Sequence, residues 1–232
     1  LIILNRQPGN ITEDLPILRV YSYSSFTNEW GPGPALKKIF ESNCKCRIEF
    51  SDGADAGVLL QRLKIEGESL GADLVIGFDQ YDLQKALVSL KWQQLNFGKL
   101  ELENEIQAAV ANNYFVPYDW GALTFMARKE QAEQIYSLDD LLKPELHRQI
   151  LIQYPRTSCP GFQFLYWVVK NKGENEGFQF LAELLEKVQS VTPSWSASLG
   201  IFNKNPNNLM FSYVTSPLYY EIEEKKTNIV AV

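Results

Sequence analysis

A short turn between residues 155 and 161 carries groups that could bind an anion. A predicted strand over 149–153 leads into the turn, Thr157 and Ser158 follow it, and Pro160 suits the first position of a helix. Hydroxyl groups and the unpaired N–H groups of a helix start form an anion site, because the first helical turn carries a partial positive charge. The alternative is that Thr157 or Ser158 only caps the helix.

A second helix start, at residues 215–217 (Thr-Ser-Pro), repeats this pattern and adds aromatic rings. Tyr213 lies at the end of a strand predicted over 209–214, at the strand end where ligands bind in α/β sheets. Tyr219 falls in the first turn of the helix that follows. We therefore expect Tyr213 and Tyr219 to flank one crevice, unless both residues serve only in packing.

Further aromatic residues also occur where predicted strands end. Tyr23 and Trp30 lie at and beyond the carboxyl end of the first strand, and Trp195 lies in a Ser/Pro-rich loop over 192–196. Aromatic rings in such loops suit a cationic or flat heteroaromatic ligand, because each cation–π contact contributes about 1–2 kcal/mol. Asp55, in the loop before the second helix, could complement a positive or hydrogen-bond-donating group.

The elements that must position these residues follow an alternating order. In the first part of the chain, strands are predicted over 16–23, 47–50 and 72–77, and helices over 34–42 and 57–66. This alternation indicates an α/β fold with a parallel sheet. The extended stretch 114–128, interrupted by Pro117 and Gly121, is expected to cross between two lobes. Beyond it we predict a capped helix start at 137–140 and helices over 162–170, 177–190 and 215 to about 226.

Composition narrows the possible functions. The chain has 232 residues and a formal net charge of −6, which argues against a nucleic-acid-binding surface. Its single histidine, His147, leaves little material for histidine metal sites or histidine-based catalysis. We find no phosphate-binding loop of the Walker type, no Gly-x-Ser-x-Gly elbow and no apolar stretch of about 18 residues that would span a bilayer.

The three cysteines leave two possibilities open. If residues 44–46 form a strand, Cys44 and Cys46 lie on one face and could form a tight disulfide in an oxidising compartment. The alternative is two unlinked, partly buried thiols. Cys159 is then the remaining cysteine.

Nine blocks along the chain together resemble a known family. They are 21–26 (YSYSSF), 29–34 (EWGPGP), 44–46 (CKC), 60–63 (LQRL), 72–77 (ADLVIG), 115–119 (FVPYD), 154–158 (YPRTS), 212–217 (SYVTSP) and 223–226 (EEKK). In this order they resemble the thiamine-binding periplasmic proteins of bacterial ABC importers. The resemblance implies a type II periplasmic-binding-protein fold, with two α/β lobes and a ligand cleft between them.

The family resemblance also implies lobe boundaries and a site. Residues 1–15 would be an N-terminal extension, 16–117 the first lobe, continued by about 221–232, and 118–220 the second lobe. The family's C-terminal part, which completes the first lobe, is expected to be absent from this chain. The implied pocket residues are Tyr23, Trp30, Asp55, Thr157, Ser158, Trp195, Tyr213 and Tyr219.

The resemblance assigns these residues roles toward thiamine or its phosphates. Tyr23 and Trp195 would contact the cationic thiazolium ring, and Tyr219 would stack on the aminopyrimidine. The hydroxyethyl or phosphate end would meet Trp30, Thr157, Ser158 and Tyr213. The expected protein is periplasmic, is not an enzyme, needs no cofactor or metal, and delivers thiamine to an ABC-transporter permease.

Two other functions remain open on a bilobal scaffold of this kind. A protein similar to thiaminase I would use a cysteine in the cleft as nucleophile, and Cys159 is the candidate. A ferric-iron-binding protein is suggested by the adjacent Tyr219 and Tyr220, since phenolate oxygen suits Fe(III).

Overall fold

The computed structural model describes residues 15–52, 55–96, 112–133 and 135–232. The strands are β1 (Ile17–Ser22), β2 (Arg47–Asp52), β3 (Leu74–Val75), β4 (Leu123–Arg128), β5 (Ile150–Gln153), β6 (Ser190–Thr192), β7 (Leu209–Tyr213) and β8 (Ile229–Ala231). The α-helices are α1 (Ser24–Thr27), α2 (Pro32–Cys44), α3 (Ala56–Glu66), α4 (Gln80–Ser89), α5 (Lys129–Ala132), α6 (Cys159–Lys172), α7 (Glu174–Lys187), α8 (Trp195–Lys204) and α9 (Ser216–Ile222). Short 3-10 helices span Gly67–Leu70, Leu138–Leu142 and Pro144–Leu146.

The first lobe is built on a parallel sheet of strand order β2-β1-β3. Tyr21 of β1 pairs with Ser51 of β2 on one side and with Val75 of β3 on the other. Leu59 and Leu63 of α3 pack against Tyr21 in a buried cluster, because they lie four residues apart on one helix face. The parallel α/β arrangement predicted from the alternating pattern is therefore confirmed for this lobe.

The second lobe is built on a mixed sheet of strand order β6-β5-β7-β4-β8. Strand β5 runs parallel to β6 and β7, whereas β4 runs antiparallel to β7 and β8. Its core contains Phe125, Ile150, Phe164, Leu184 and Phe211, all of them buried. Helices α6 and α7 supply Phe164 and Leu184, so they cover one face of the sheet. The two sheets agree with the predicted two-lobed α/β class.

The last segment of the chain differs from the predicted lobe boundaries. Residues 221–232 were expected to continue the first lobe, but Ala231 of β8 pairs with Met126 in the second sheet. Ile229 is buried beside Met126 and Tyr220, and removing this apolar side chain from water favours the observed pairing. The predicted extension over 1–15 falls almost entirely outside the described residues.

Several helices begin or end at residues other than those predicted. Helix α6 starts at Cys159 rather than at 162, because Pro160 occupies its first turn. The predicted loop over 192–196 becomes the start of α8, where the hydroxyl of Ser194 accepts a hydrogen bond from the N–H of Ala197 at 3.1 Å. Helix α7 ends at Lys187, since β6 begins three residues later.

Cys44 and Cys46 form a disulfide, with their Cα atoms 5.2 Å apart. The bond does not arise from a strand, as the sequence pattern suggested. Cys44 ends α2, and Lys45 takes a left-handed conformation at φ 52°, so the chain turns between the two cysteines. The two cysteine side chains meet because of this turn.

Within the described residues, every helix is too short or too polar to cross a membrane.

Candidate functional site

The site is centred on Asp55, a carboxylate held between the two lobes. As the N-cap of α3, Asp55 accepts a hydrogen bond from the N–H of Ala56 at 2.8 Å through Oδ1. Its Oδ2 accepts from the backbone N–H of Trp195 at 3.2 Å. Burial raises the pKa of Asp55, and the negative charge of Asp82 adds to the rise. The nearby Ser158 hydroxyl partly offsets this rise in the pKa of Asp55, although the hydroxyl completes no hydrogen bond of good geometry.

An aromatic group lies beside this carboxylate. The indole N–H of Trp195 donates a hydrogen bond to the hydroxyl of Ser212 at 2.9 Å, which fixes the plane of the ring. The ring centroid of Trp195 lies 6.1 Å from that of Trp30 and 6.4 Å from that of Tyr213. Burial raises the pKa of Tyr213, and the nearby Cys159 adds to the rise, so this phenol stays neutral. The three rings offer flat, polarisable faces at the edge of both lobes.

Tyr23 extends the aromatic surface toward the segment that joins the lobes. Its hydroxyl oxygen lies 2.6 Å from that of Tyr118, in a hydrogen bond that either phenol can donate. The Phe26 ring packs against both phenols, with centroids 5.9 Å from Tyr23 and 6.2 Å from Tyr118. Partial burial raises the pKa of Tyr23, and the carboxylates of Asp119 and Asp55 raise it further. The negative charges of these two carboxylates therefore reach the region that the Tyr23 phenol faces.

The turn before α6 is tied to neighbouring loops, and its role toward an anion stays a prediction. The Thr157 hydroxyl donates a hydrogen bond to the carbonyl of Pro193 at 2.7 Å, tying the turn to the start of α8. Ser158 occupies the N-cap position of α6, but its buried hydroxyl does not cap the helix. A Cβ on Gly57 of α3 would lie 3.0 Å from the Thr157 backbone, so α3 of the first lobe packs directly on this turn. The carboxylate of Asp55 already faces this helix start.

A second contact joins the lobes between α4 and α6. The thiol of Cys159 donates a hydrogen bond to Oδ2 of Asp82 at 3.3 Å, and the amide of Gln163 donates to Oδ2 of Asp79 at 3.1 Å. Lys85 forms an ion pair with Asp82 at 3.2 Å. Burial raises the pKa of Cys159 well above its ordinary value, and the neighbouring carboxylates of Asp79 and Asp82 raise it further.

This contact also contains the candidate metal ligands of the described part of the chain. One ligand atom from each of Asp79, Asp82 and Cys159 lies within 4.8 Å of the other two. The thiol is protonated and donates to one of the carboxylates, whereas a metal needs a thiolate. Cys159 and Asp82 thus form a hydrogen-bonded link between the lobes.

Tyr219 is set apart from the other predicted site residues. It is 42% exposed, and its ring contact is with Tyr220 at a centroid distance of 5.8 Å. None of the ring contacts or hydrogen bonds among the described residues connects Tyr219 with Tyr213 or Trp195. The crevice expected between Tyr213 and Tyr219 is not formed by direct contact of their rings. The role of Tyr219 toward a ligand stays a prediction.

Sequence reasoning missed Tyr118, Asp119 and Asp82, which the structure places beside the predicted residues. The first two lie in a segment that was interpreted as a crossing between lobes and as one of the family blocks, without a role in the site. A Tyr-Asp pair there combines an aromatic face with a carboxylate, and this combination was an available signal. Asp82 had no local signal, because its partner Cys159 lies 77 positions further along the chain.

Solved structures share the architecture described above. A periplasmic binding protein described as P5PA superposes with a TM-score of 0.77 at 19% identity, covering 94% of this chain and 69% of that protein. Similarity at this level of identity concerns the fold alone. The fold is that of the type II periplasmic binding proteins, as the sequence predicted.

Closer similarity identifies the family. A structure described as a periplasmic thiamin binding protein gives a TM-score of 0.83 at 34% identity, covering 97% of this chain and 70% of that one. The thiamine-binding periplasmic protein of Salmonella typhimurium is 39% identical over 220 residues, covering 93% of this chain. The chain spans 65% of that relative's length. No protein-family model matches the chain. The chain belongs to the family of thiamine-binding periplasmic proteins, and the predicted resemblance is confirmed.

Proposed function

We propose that the chain is a periplasmic solute-binding protein that captures thiamine, free or phosphorylated, for uptake by an ABC transporter. The observation that carries this proposal is the pairing of aromatic faces with carboxylates between the lobes. Trp30, Trp195 and Tyr213 form one aromatic group, and the carboxylate of Asp55 accepts the backbone N–H of Trp195. The names of the two relatives at 34% and 39% identity support the choice of ligand.

The chemistry of the site suits a flat organic cation. An aromatic face attracts a cation within about 6 Å of its centre, and each such contact contributes about 1–2 kcal/mol when water is excluded. The raised pKa of Asp55 shows that its negative charge is unfavourably desolvated without a cation nearby. A thiazolium ring beside Asp55 would compensate this cost, because an opposite charge stabilises the ionised carboxylate.

Closure of the two lobes around the ligand is the second part of the proposal. Elements of the first lobe contact the second through Asp55 and Trp195, and through Asp82 and Cys159. A closed pair of lobes presents one continuous surface, which is the form that an ABC-transporter permease would recognise. The permease is therefore the proposed partner, and the proposed role includes no chemical conversion of thiamine.

The alternative of a thiaminase-like enzyme has one observation in its favour. A carboxylate of Asp82 lies 3.3 Å from the Cys159 thiol, as a general base for a nucleophile would. However, burial raises the pKa of Cys159 and three carboxylates raise it further, so the thiolate is disfavoured. The test is incubation of the protein with thiamine and an excess of a nucleophilic amine. We expect no free thiazole by liquid chromatography, and its release would establish the enzyme.

The alternative of ferric-iron binding rests on Tyr219 and Tyr220. The hydroxyl of Tyr220 donates a hydrogen bond to the side-chain oxygen of Asn203 at 2.7 Å. Tyr220 is only 1% exposed. Burial raises the pKa of Tyr220, which disfavours the phenolate that Fe(III) needs. Addition of ferric citrate should therefore give no visible phenolate-to-iron absorption band. A band that disappears in Tyr219→Phe would support iron binding instead.

The direct test is calorimetric titration of the purified chain with thiamine, accompanied by intrinsic fluorescence. We expect one saturable site and quenching of tryptophan emission, because Trp30 and Trp195 lie beside the proposed site. Titration with thiamine monophosphate in parallel measures the effect of a phosphate group. Choline serves as a cation that lacks the aromatic rings and should bind at least about a hundredfold more weakly, a difference of about 2.7 kcal/mol. Absence of heat and of quenching with thiamine would contradict the proposed function.

A further inference from the structure

We infer that Tyr118 is a positioning residue, which orients the Tyr23 ring toward the bound cation. The inference rests on the proposed function, since that function places a cation beside Asp55, whose charge acts on Tyr23. It begins from the hydrogen bond between the two phenol oxygens, which are 2.6 Å apart although the residues lie 95 positions apart in the chain. A hydrogen bond this short between neutral phenols fixes the direction of both rings.

The surroundings leave the Tyr23 ring little freedom on its other sides. A Cβ built on Gly77 would lie 2.2 Å from Cδ1 of Tyr23, so the ring rests directly on the glycine backbone. Phe26 contacts both Tyr23 and Tyr118 through its ring. Gly77 and Phe26 limit where the ring can lie, and the hydroxyl of Tyr118 selects the direction of its polar end.

The position of Tyr118 in the chain explains why this contact concerns the site. Tyr23 follows strand β1 of the first lobe, whereas Tyr118 precedes strand β4 of the second lobe by five residues. The hydrogen bond therefore connects the first lobe with the segment that enters the second. The charges of Asp119 and Asp55 act on Tyr23, so its ring lies in the same electrostatic environment as the proposed cation. Tyr118 is 53% exposed, so packing alone does not account for a tyrosine at this position.

The first experiment is a double-mutant cycle on thiamine affinity with Tyr118→Phe, Tyr23→Phe and the double variant. Loss of the Tyr118 hydroxyl should weaken binding about threefold to tenfold, the range for one hydrogen bond, while the melting temperature stays within about 2 °C. In the Tyr23→Phe background, the Tyr118→Phe change should have no further effect, because the partner hydroxyl is already absent. Tyr136→Phe is the matched control, since Tyr136 is 84% exposed, and it should leave the affinity unchanged.

The second experiment measures the orientation of Tyr23 in the absence of ligand. In protein with labelled tyrosine, ring protons of Tyr23 should show a nuclear Overhauser contact with the Hα protons of Gly77, because the ring lies on that glycine. This contact should weaken in Tyr118→Phe and persist in Tyr136→Phe. If both the contact and the affinity are unchanged in Tyr118→Phe, the inference is wrong.

The two experiments separate the inference from the proposed function. If the wild-type chain does not bind thiamine, the proposed function fails, and the ligand-free contact decides whether Tyr118 orients Tyr23. If thiamine binds and the effects of the two substitutions are additive, the function stands and the positioning role is overturned.

Discussion

The carboxylate of Asp55 accepts the backbone N–H of Trp195 at 3.2 Å, although the two residues lie 140 positions apart in the chain. Asp55 caps α3 and Trp195 begins α8, so the starts of two helices converge on one carboxylate. Each helix start favours a negative charge by about 0.3–1 kcal/mol. Burial nevertheless raises the pKa of Asp55, so desolvation outweighs the hydrogen bonds that the carboxylate accepts from the N–H groups of Ala56 and Trp195. The carboxylate is thus held in place but incompletely compensated, as a cation site requires.

Replacing Trp195 with alanine should weaken thiamine binding by about 1–3 kcal/mol, because the ring supplies a cation–π face and excludes water. Trp195→Phe is the matched control. It keeps an aromatic face but loses the indole N–H that donates to Ser212, so its effect should be smaller. Calorimetry is the suitable measurement, since both changes alter the fluorescence. An unchanged dissociation constant in a folded Trp195→Ala variant would remove this residue from the site.

Replacing Asp55 with asparagine should weaken thiamine binding by about tenfold or more, or about 1.4 kcal/mol, because the charge opposite the cation is lost. The control is Glu186→Gln, which removes the same charge from an exposed position on α7 and should have no effect. Calorimetric titration at two salt concentrations checks the result. The wild-type affinity should fall as salt increases, and the Asp55→Asn affinity should fall less. Equal affinity in Asp55→Asn and wild type would contradict this role.

The stability of the ligand-free chain should reflect the raised pKa of Asp55. The folded state holds the Asp55 proton more tightly than the unfolded chain, whose value is near the ordinary ~3.9. The contribution of Asp55 to the free energy of unfolding therefore falls as pH rises from about 4 through the raised pKa, and is constant above it. Urea unfolding across this pH range should show a smaller decrease for Asp55→Asn than for wild type. Parallel curves for the two proteins would show that Asp55 does not titrate in this way.

Cys159 should react slowly with thiol reagents in the native protein. Burial and the carboxylates of Asp79 and Asp82 raise its pKa, so little thiolate is present at pH 8. Ellman's reagent should detect one thiol per chain after unfolding in guanidinium chloride, because Cys44 and Cys46 are paired. Asp82→Asn should speed the native reaction, since one of the charges that oppose the thiolate is removed. Rapid reaction of the native wild-type protein would contradict this prediction and support Cys159 as the nucleophile of a thiaminase-like enzyme.

Replacing Gly77 with alanine should destabilise the protein and displace Tyr23. Gly77 has φ 119°, and the added methyl group would lie 2.2 Å from the Tyr23 ring. Gly71→Ala is the matched control, because Gly71 also has a positive φ of 61° but nothing within 4 Å of the added atom. The control should cost about 1–2 kcal/mol from backbone strain alone, and Gly77→Ala should cost about 1–3 kcal/mol more. Urea denaturation measures both, and equal losses would show that the Tyr23 contact is unimportant.

Much of the local structure was predictable from sequence. The strand at Ile17–Ser22 and the helix at Ala56–Glu66 occur close to where the residue patterns placed them. Asp55 was placed before that helix, and Tyr213 at the end of a strand, as the structure has them. These features depend on neighbours within a few residues, such as apolar spacing and helix-capping groups, so sequence is sufficient for them.

Contacts between distant residues were decided only by the tertiary structure. Sequence pattern could not pair Cys159 with Asp82 or Tyr23 with Tyr118, since side chains 77 and 95 positions apart meet only after two lobes have packed. The same reason applies to β8, which joins the second sheet because Ile229 is buried there beside Met126. The amino-acid sequence by itself determined which aromatic, hydroxyl and carboxylate groups stand at strand ends and helix starts. Packing of the lobes decided which of these groups face one another, because burial and long-range hydrogen bonds act on the folded chain as a whole.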